Sequence, residues 1–251
     1  MSDAPVTSRA PLTRGGAPVS PPSRSPVRRA GELLRASQLG DEVTAQEYVS
    51  AYDVLVAYRA AHQYPLVKAT NSLRAAVKAE GCRIEVSQRL KRMHTFLDKL
   101  RREPEMDLSR MQDFGGCRAI LENVEDVRRV QARVLGAYRK RVGDQPPVKD
   151  YVAAPKETGY RGVHIITMYD GRRIEVQLRT KVMHEWAITV ERLSGQTGFD
   201  LKGTEGPSEL REFFAYASTL MAREEAGEVV DAQMLGRMSA LRESAVEFLS
   251  R

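Results

Sequence analysis

The chain has 251 residues, 42% of them hydrophobic and 29% charged, which is enough for one substantial domain with a helical extension. No long apolar run occurs and the N-terminus has no apolar core, which argues against membrane insertion or secretion; two distant cysteines, Cys82 and Cys117, argue against a disulfide framework or a zinc site and suit the cytoplasm. The net charge of +6 is unevenly placed, because residues 1–30 hold five arginines against the single acid Asp3, so charge alone is not a nucleic-acid signature for the rest.

Residues 1–30 are rich in Pro, Ser, Gly and Arg without apolar periodicity and are expected to be a disordered basic tail, either solubilising or a partner-binding arm. Helical patterns begin near residue 43, where Thr44 and Glu47 form a capping-box pair ahead of Tyr48, Tyr52, Leu55 and Tyr58. A second helix is predicted from Pro65 to Glu80, stopped by Gly81. Arg83 to Ser87 reads as a short strand. Arg92 to Arg102 reads as a helix with Met93, Phe96, Leu97 and Leu100 on one face and Lys91, Thr95, Lys99 and Arg102 on the other. Cys117–Leu121 is a predicted strand and Val124–Tyr138 a predicted helix. Val163–Tyr169 and Arg172–Arg179 read as a hairpin turned at Asp170-Gly171. Helices are expected over Lys181–Leu193, Pro207–Glu224 and Asp231–Leu249. The order implies an α+β fold, a mixed β-sheet flanked by helices and closed by C-terminal helices.

Four segments carry chemistry. In Ile174-Glu175-Val176-Gln177-Leu178-Arg179 the apolar residues share one strand face, and Glu175, Gln177 and Arg179 share the other, which is either a solvated face or a functional one. Asp113 precedes Gly115-Gly116 at the edge of a strand, as a metal-binding carboxylate or a turn residue would. The stretch from Lys149-Asp150-Tyr151 through Lys156 to Tyr160-Arg161 reads as a cationic loop with two tyrosines, suited to phosphates and a stacked base or simply exposed. Arg89, Lys91, Arg92, Lys99, Arg101 and Arg102 stand against the lone acid Asp98, either as a solvated face or as a triphosphate cradle.

Taken together, Arg89-x-Lys91 with Thr95 and Lys99, Asp113 through Arg118, Lys149 through Tyr160 and His164, Glu175 through Thr180, and His184-Glu185-Trp186-Ala187 resemble the synthetase domain of the RelA/SpoT family over roughly residues 65–195. The resemblance implies a nucleotidyltransferase-like synthetase domain, placed here at 43–225 and followed by a C-terminal helix at 226–251. It also implies a pyrophosphokinase that moves the β,γ-pyrophosphate of ATP to a 3′-hydroxyl and releases AMP. By the same resemblance Asp113 and Glu175 hold Mg²⁺ and are catalytic. Arg89, Lys91, Lys99, Arg102 and Arg118 bind ATP, and Lys149, Lys156, Tyr160, His164, Gln177 and Arg179 serve the acceptor. Tyr160 would stack on the acceptor base, an interaction worth about 1–3 kcal/mol. His184 is either part of the site or a packed histidine.

None of the four histidines, His62, His94, His164 and His184, is followed by Asp, so the family's hydrolase domain is not expected. The stretch Ile188 to Gly195, with Leu201-Lys202-Gly203, Glu209 to Phe214 and Gln112 to Arg118, looks more like the toxic small alarmone synthetases, and Gly162 after Arg161 departs from the common family pattern at the acceptor pocket. That likeness favours the 3′ CCA end of tRNA as acceptor, with a cognate antitoxin as partner. GTP or GDP, adenine nucleotides, and a non-catalytic nucleotide- or RNA-binding role are the alternatives.

Overall fold

The computed structural model describes residues 21–83, 85–201, 203 and 206–250. Eight helices and five strands are found among them: α1 Arg24–Leu39, α2 Ala45–Ala60, α3 Gln63–Ala79, β1 Glu85–Leu90, α4 Met93–Arg102, β2 Gly115–Leu121, α5 Val124–Val142, β3 Val148–Asp150, β4 Val163–Tyr169, β5 Arg172–Thr180, α6 Lys181–Thr197, α7 Ser208–Glu225 and α8 Ala232–Leu249. The sheet order is β1-β2-β5-β4-β3, with β2 and β5 parallel and every other pair antiparallel. This is the expected α+β fold with a mixed sheet.

Local signals set most boundaries. Thr44 caps α2 through a capping box with Glu47. Asn123 caps α5, which carries Glu125 and Asp126 in its first turn and Arg139, Lys140 and Arg141 in its last, matching the helix dipole at both ends. Thr180 ends β5 and caps α6 in the same step, so the direction of α6 is fixed by the strand that carries Glu175. The β4–β5 turn has positive φ at both Asp170 (47°) and Gly171 (70°), as a tight hairpin requires.

One face of the sheet is apolar. Cys117, Ala119 and Leu121 of β2, Ile174, Val176 and Leu178 of β5, and Val163 and Ile165 of β4 are buried against α3 and α5. Two further helical clusters flank the sheet. Near β1, Leu34 of α1, Leu55 of α2, Phe96 and Leu100 of α4, Leu108 and Phe114 are all fully buried together. Near β4, Tyr160 joins Trp186 of α6, Leu210 and Phe214 of α7 and Ala245 of α8.

Three expectations need correction. The stretch expected to be disordered up to residue 30 is helical from Arg24, because Val27, Ala30 and Leu34 form a buried stripe that the arginines and serines around them obscure; residues 1–20 lie outside the described residues. A Cβ on Gly31 would stand 2.6 Å from the Leu108 Cβ, so this glycine lets α1 lie close against the turn at Leu108–Arg110. The first strand is Glu85–Leu90, later than Arg83–Ser87, since its pairing with β2 rather than its own alternation decides its extent. Lys149 lies in an edge strand, β3, not in a loop. The last helix packs on the domain as expected, with Ala245 and Phe248 in the cluster around Trp186.

Candidate active site

Residues opposite each other in a ladder share a face, so the register draws the site directly. Ser87, Arg118, Gln177, His164 and Lys149 form one row across all five strands. Arg89, Gly116, Glu175 and Ile166 form the next. Arg179 follows Gln177 on the same face of β5. A cleft of about 620 Å³ opens over the β1–β2–β5 part of this face and is lined by Arg89, Lys91, Arg102, Asp113, Arg118, Glu175 and Gln177. That volume falls within the range of small-molecule sites, about 300–1,000 Å³. Gly116 has no side chain, so nothing fills the gap between Arg89 and Glu175; a Cβ there would come within 3.4 Å of the Glu175 carbonyl.

Asp113 stands just before β2, ahead of the fully buried Phe114, which packs on Phe96 and stacks on His62. The Lys91 ammonium is 2.6 Å from Asp113 Oδ2, and the Lys99 ammonium is 3.4 Å from the same oxygen. Burial acts to raise the Asp113 pKa, but the two lysines outweigh it and hold the carboxyl below its usual range. Burial pulls Lys91 down while Asp113 holds it up, and at 2.6 Å the pair is ionised.

Glu175 is held by a chain of hydrogen bonds. Arg179 Nη2 donates to the Tyr160 hydroxyl at 2.8 Å, that hydroxyl donates to His164 Nε2 at 2.5 Å, and His164 Nδ1 donates to Glu175 Oε1 at 2.9 Å. Gln177 Nε2 donates to the other Glu175 oxygen at 2.6 Å. Burial pushes the Glu175 pKa up and the charge of Asp113 adds to that push, yet the bonds from His164 and Gln177 win and keep it below the usual range. Both acids are therefore carboxylates near neutral pH. They are also close enough to feel each other's charge.

The cationic side divides into two. Arg89 is exposed at the cleft mouth. Arg118 reaches Gln177 Oε1 at 3.3 Å and His184 Nδ1 at 3.4 Å. Burial, with Arg179 and Arg89 nearby, lowers the Arg118 pKa, and burial, with Arg118 and Arg179, lowers that of His184, so His184 faces the site as a neutral acceptor. Arg102 lines the cleft and is paired with Asp200 at 2.6 Å.

The residues expected on the acceptor side do not all open into the cleft. Tyr160 is 9% exposed, with Tyr151, His164 and Trp186 set edge-on to it, so its ring is not a bare platform in the free chain. Burial raises its pKa against the pull of Arg179. Arg179 is 7% exposed and committed to Tyr160. Lys156 is exposed with its ammonium over the Tyr151 and Tyr160 rings, and Lys149 is exposed on the edge strand. Residues that sequence reasoning did not single out also line the cleft or brace it. Ser87, Gln88 and Glu191 do the first and Asp200 the second. They come from β1, from α6 and from the stretch that follows α6, and carry no local signal.

The family described as "Region found in RelA / SpoT proteins" matches residues 88–192. A GTP pyrophosphokinase, YjbM, from Bacillus subtilis is 34% identical over 116 residues, which are 42% of this chain and 53% of that protein. A GTP pyrophosphokinase from Escherichia coli K12 is 30% identical over 140 residues, 55% of this chain and 18% of that protein. The chain thus spans about half or less of the length of these curated relatives. The solved structure of small alarmone synthetase 1 from Bacillus subtilis, bound to its product pppGpp, aligns with a TM-score of 0.53 at 26% identity, over 68% of this chain and 90% of that one. Small alarmone synthetase 2 from the same organism aligns with a TM-score of 0.52 at 20% identity, over 72% and 96% of the two chains, and shares the fold. Residues 88–192 match the region found in RelA/SpoT proteins, and the fold of the chain is similar to that of the small alarmone synthetases.

Proposed function

We propose that the chain is a Mg²⁺-dependent pyrophosphokinase that transfers the β,γ-pyrophosphate of ATP to the 3′-hydroxyl of a guanine nucleotide and releases AMP. The observation that carries the reading is the pair of ionised, partly desolvated carboxylates, Asp113 and Glu175, at one cleft between two sets of cations. The relatives named GTP pyrophosphokinase and the pppGpp-bound neighbour support it.

The residues present fit Mg²⁺. Among the described residues no group of three or more His, Cys, Asp or Glu could hold a metal by itself. Mg²⁺ is commonly held by only one or two carboxylates, with substrate phosphates and water completing its shell. Asp113 and Glu175 would be those carboxylates, and the ion would neutralise charge on the donor's phosphate oxygens. The cleft lining mixes five cations with four carboxylates, which suits a nucleotide that brings its own counter-ion rather than a bare polyanion.

The chain's own groups supply positioning and charge, which is most of what phosphoryl-type transfer requires. Lys91 and Lys99 balance Asp113 in the free protein and lie beside any phosphate brought to it. Arg89 and Arg118 flank the cleft across Gly116 and bind the donor. On the other side, His164 and Gln177 each bind one oxygen of Glu175 and so orient the carboxylate. Glu175 accepts the proton of the attacking 3′-hydroxyl or directs it to phosphate. Tyr160, with Lys149 and Lys156, serves the acceptor.

A second acceptor, the 3′ CCA end of tRNA, is favoured by exposed cations around the cleft, since Arg92, Arg101, Lys149 and Lys156 are all available to an RNA backbone. A translation-blocking toxin with a cognate antitoxin would follow from it. One experiment separates the two. Purified protein, Mg²⁺ and γ-labelled ATP are offered GTP, GDP, ADP and deacylated tRNA in parallel. Label on GTP or GDP supports the guanine reading. Label on tRNA that disappears when the CCA end is removed replaces it with the toxin reading. Label nowhere, with ATP bound, overturns both.

A further inference from the structure

The family region ends at residue 192, yet the acceptor loop leans on a helix beyond it. Residues 156–162 form a tight turn in which the Gly159 amide donates to the Lys156 carbonyl at 2.8 Å and the Lys156 amide to the Tyr160 carbonyl at 3.2 Å. Gly159 has φ 88°, and a Cβ there would stand 2.8 Å from Ala215 Cα and 3.0 Å from the Phe214 carbonyl, both in α7. Only glycine allows this contact and this conformation. The contact is fastened by Ser218, which is 6% exposed and whose hydroxyl donates to the Gly159 carbonyl at 2.5 Å. Beside it, the Trp186 indole N–H donates to the Phe214 carbonyl at 2.9 Å, and the Trp186 ring lies edge-on to Tyr160 at 6.4 Å.

We propose that Ser218 is a positioning residue for the acceptor pocket: its bond to Gly159 fixes the turn that sets Tyr160, and through Tyr160 the orientation of His164 and Glu175. The chain of contacts is continuous. Ser218 holds Gly159, the next residue is Tyr160, and the Tyr160 hydroxyl meets His164, which meets Glu175. Lys91 and Lys99 stand on the opposite side of the cleft, near α4 and away from α7, so the effect is selective for the acceptor. The inference rests on the pyrophosphokinase reading and adds a residue outside the matched region.

Ser218→Ala and Ser218→Thr in the full chain test it. The Ala variant is expected to raise KM for the acceptor about fivefold, the scale of one lost hydrogen bond, while KM for ATP changes less than about twofold. Amide exchange over residues 156–162 should speed up in the same variant and stay unchanged over β1 and α4. The Thr variant, which keeps the hydroxyl, should recover acceptor KM. Trp186, the chain's single tryptophan, gives a binding readout independent of turnover, and acceptor affinity from its fluorescence should fall in step with KM. Unchanged exchange in Ser218→Ala overturns the proposal, as does faster exchange with unchanged acceptor KM, or an equal rise in KM for both substrates. A wild-type chain that neither binds nor converts any acceptor would strike down the underlying reading, and the proposal with it. Normal wild-type turnover confines a failure to Ser218.

Discussion

Asp113 and Glu175 are kept ionised by different means, and their substitutions should differ in consequence. Asp113 is balanced by two ammonium groups, whereas Glu175 is balanced by a histidine and an amide. Asp113→Asn leaves Lys91 and Lys99 facing each other without a charge between them, and Glu175→Gln keeps the size but removes the charge. Each is expected to lower AMP release at least about 100-fold, the scale of a lost electrostatic element. The melting temperature should stay within about 4 °C, because neither side chain lies in a hydrophobic cluster. Wild-type rates in a folded double variant would sink the assignment. His62 gives a separate prediction. It is 2% exposed, donates from Nδ1 to the Tyr58 carbonyl and stacks on Phe114, and burial lowers its pKa from 6.5 to about 4. Between those values the unfolded chain binds a proton that the folded chain refuses. Stability therefore falls as pH drops through that window, by up to about 1.4 kcal/mol per pH unit from this residue. Urea melts from neutral pH down to pH 4 should show a shallower acid limb in His62→Gln than in wild type; identical limbs would refute the role.

The elements differ in how far they declare themselves in sequence. The β4–β5 hairpin, the capping box at Thr44 and the alternation of Glu175, Gln177 and Arg179 are local, so the sequence pattern alone locates them. Replacing Thr44 by Ala should cost about 1 kcal/mol in a chemical melt. Helix α1 is different. Its apolar stripe is narrow and sits in an Arg- and Ser-rich stretch, and the partners that bury it, Leu55, Leu100 and Leu108, are distant in the chain. The three-residue β3 exists only by pairing with β4, and the Arg102–Asp200 brace joins α4 to the stretch after α6, which no pattern relates. The candidate site was legible as a set of residue types in order. What was not legible is how they are committed in the free chain, where Tyr160 and Arg179 are buried and hydrogen-bonded to one another. Because α1 packs directly on α4, Leu34→Ala should cost about 2–5 kcal/mol and also raise KM for ATP, since α4 carries Lys99. A loss of stability with ATP binding untouched would separate the two helices functionally.

At the scale of the molecule, the sheet is a floor with an apolar back and a chemical front, and two helical clusters flank it at either end. Arg89, Lys91 and Lys99 belong to the β1–α4 end and the Tyr160–His164 chain to the β4–α7 end, so under the proposed function the transfer would take place across β2 and β5, the parallel pair. Surface cations at the donor end are solvent-accessible and therefore screened. Raising ionic strength from about 0.05 to 0.3 M should weaken ATP binding severalfold, read by equilibrium titration, whereas salt-independent affinity would mean that Arg89 and its neighbours do not contact phosphate. The in-register rows also bear on how such a chain can change over generations. Side chains alternate with a strict period of two, so one residue added to or lost from β5 just ahead of Glu175 would turn Glu175, Gln177 and Arg179 towards the hydrophobic core and bring Val176 and Leu178 to the front. Substitutions along these strands can be tried one at a time, but a change of length cannot. Insertions are confined to the loops at the strand ends, and lineages of this fold should diverge in what their loops carry while the spacing within β2 and β5 stays constant.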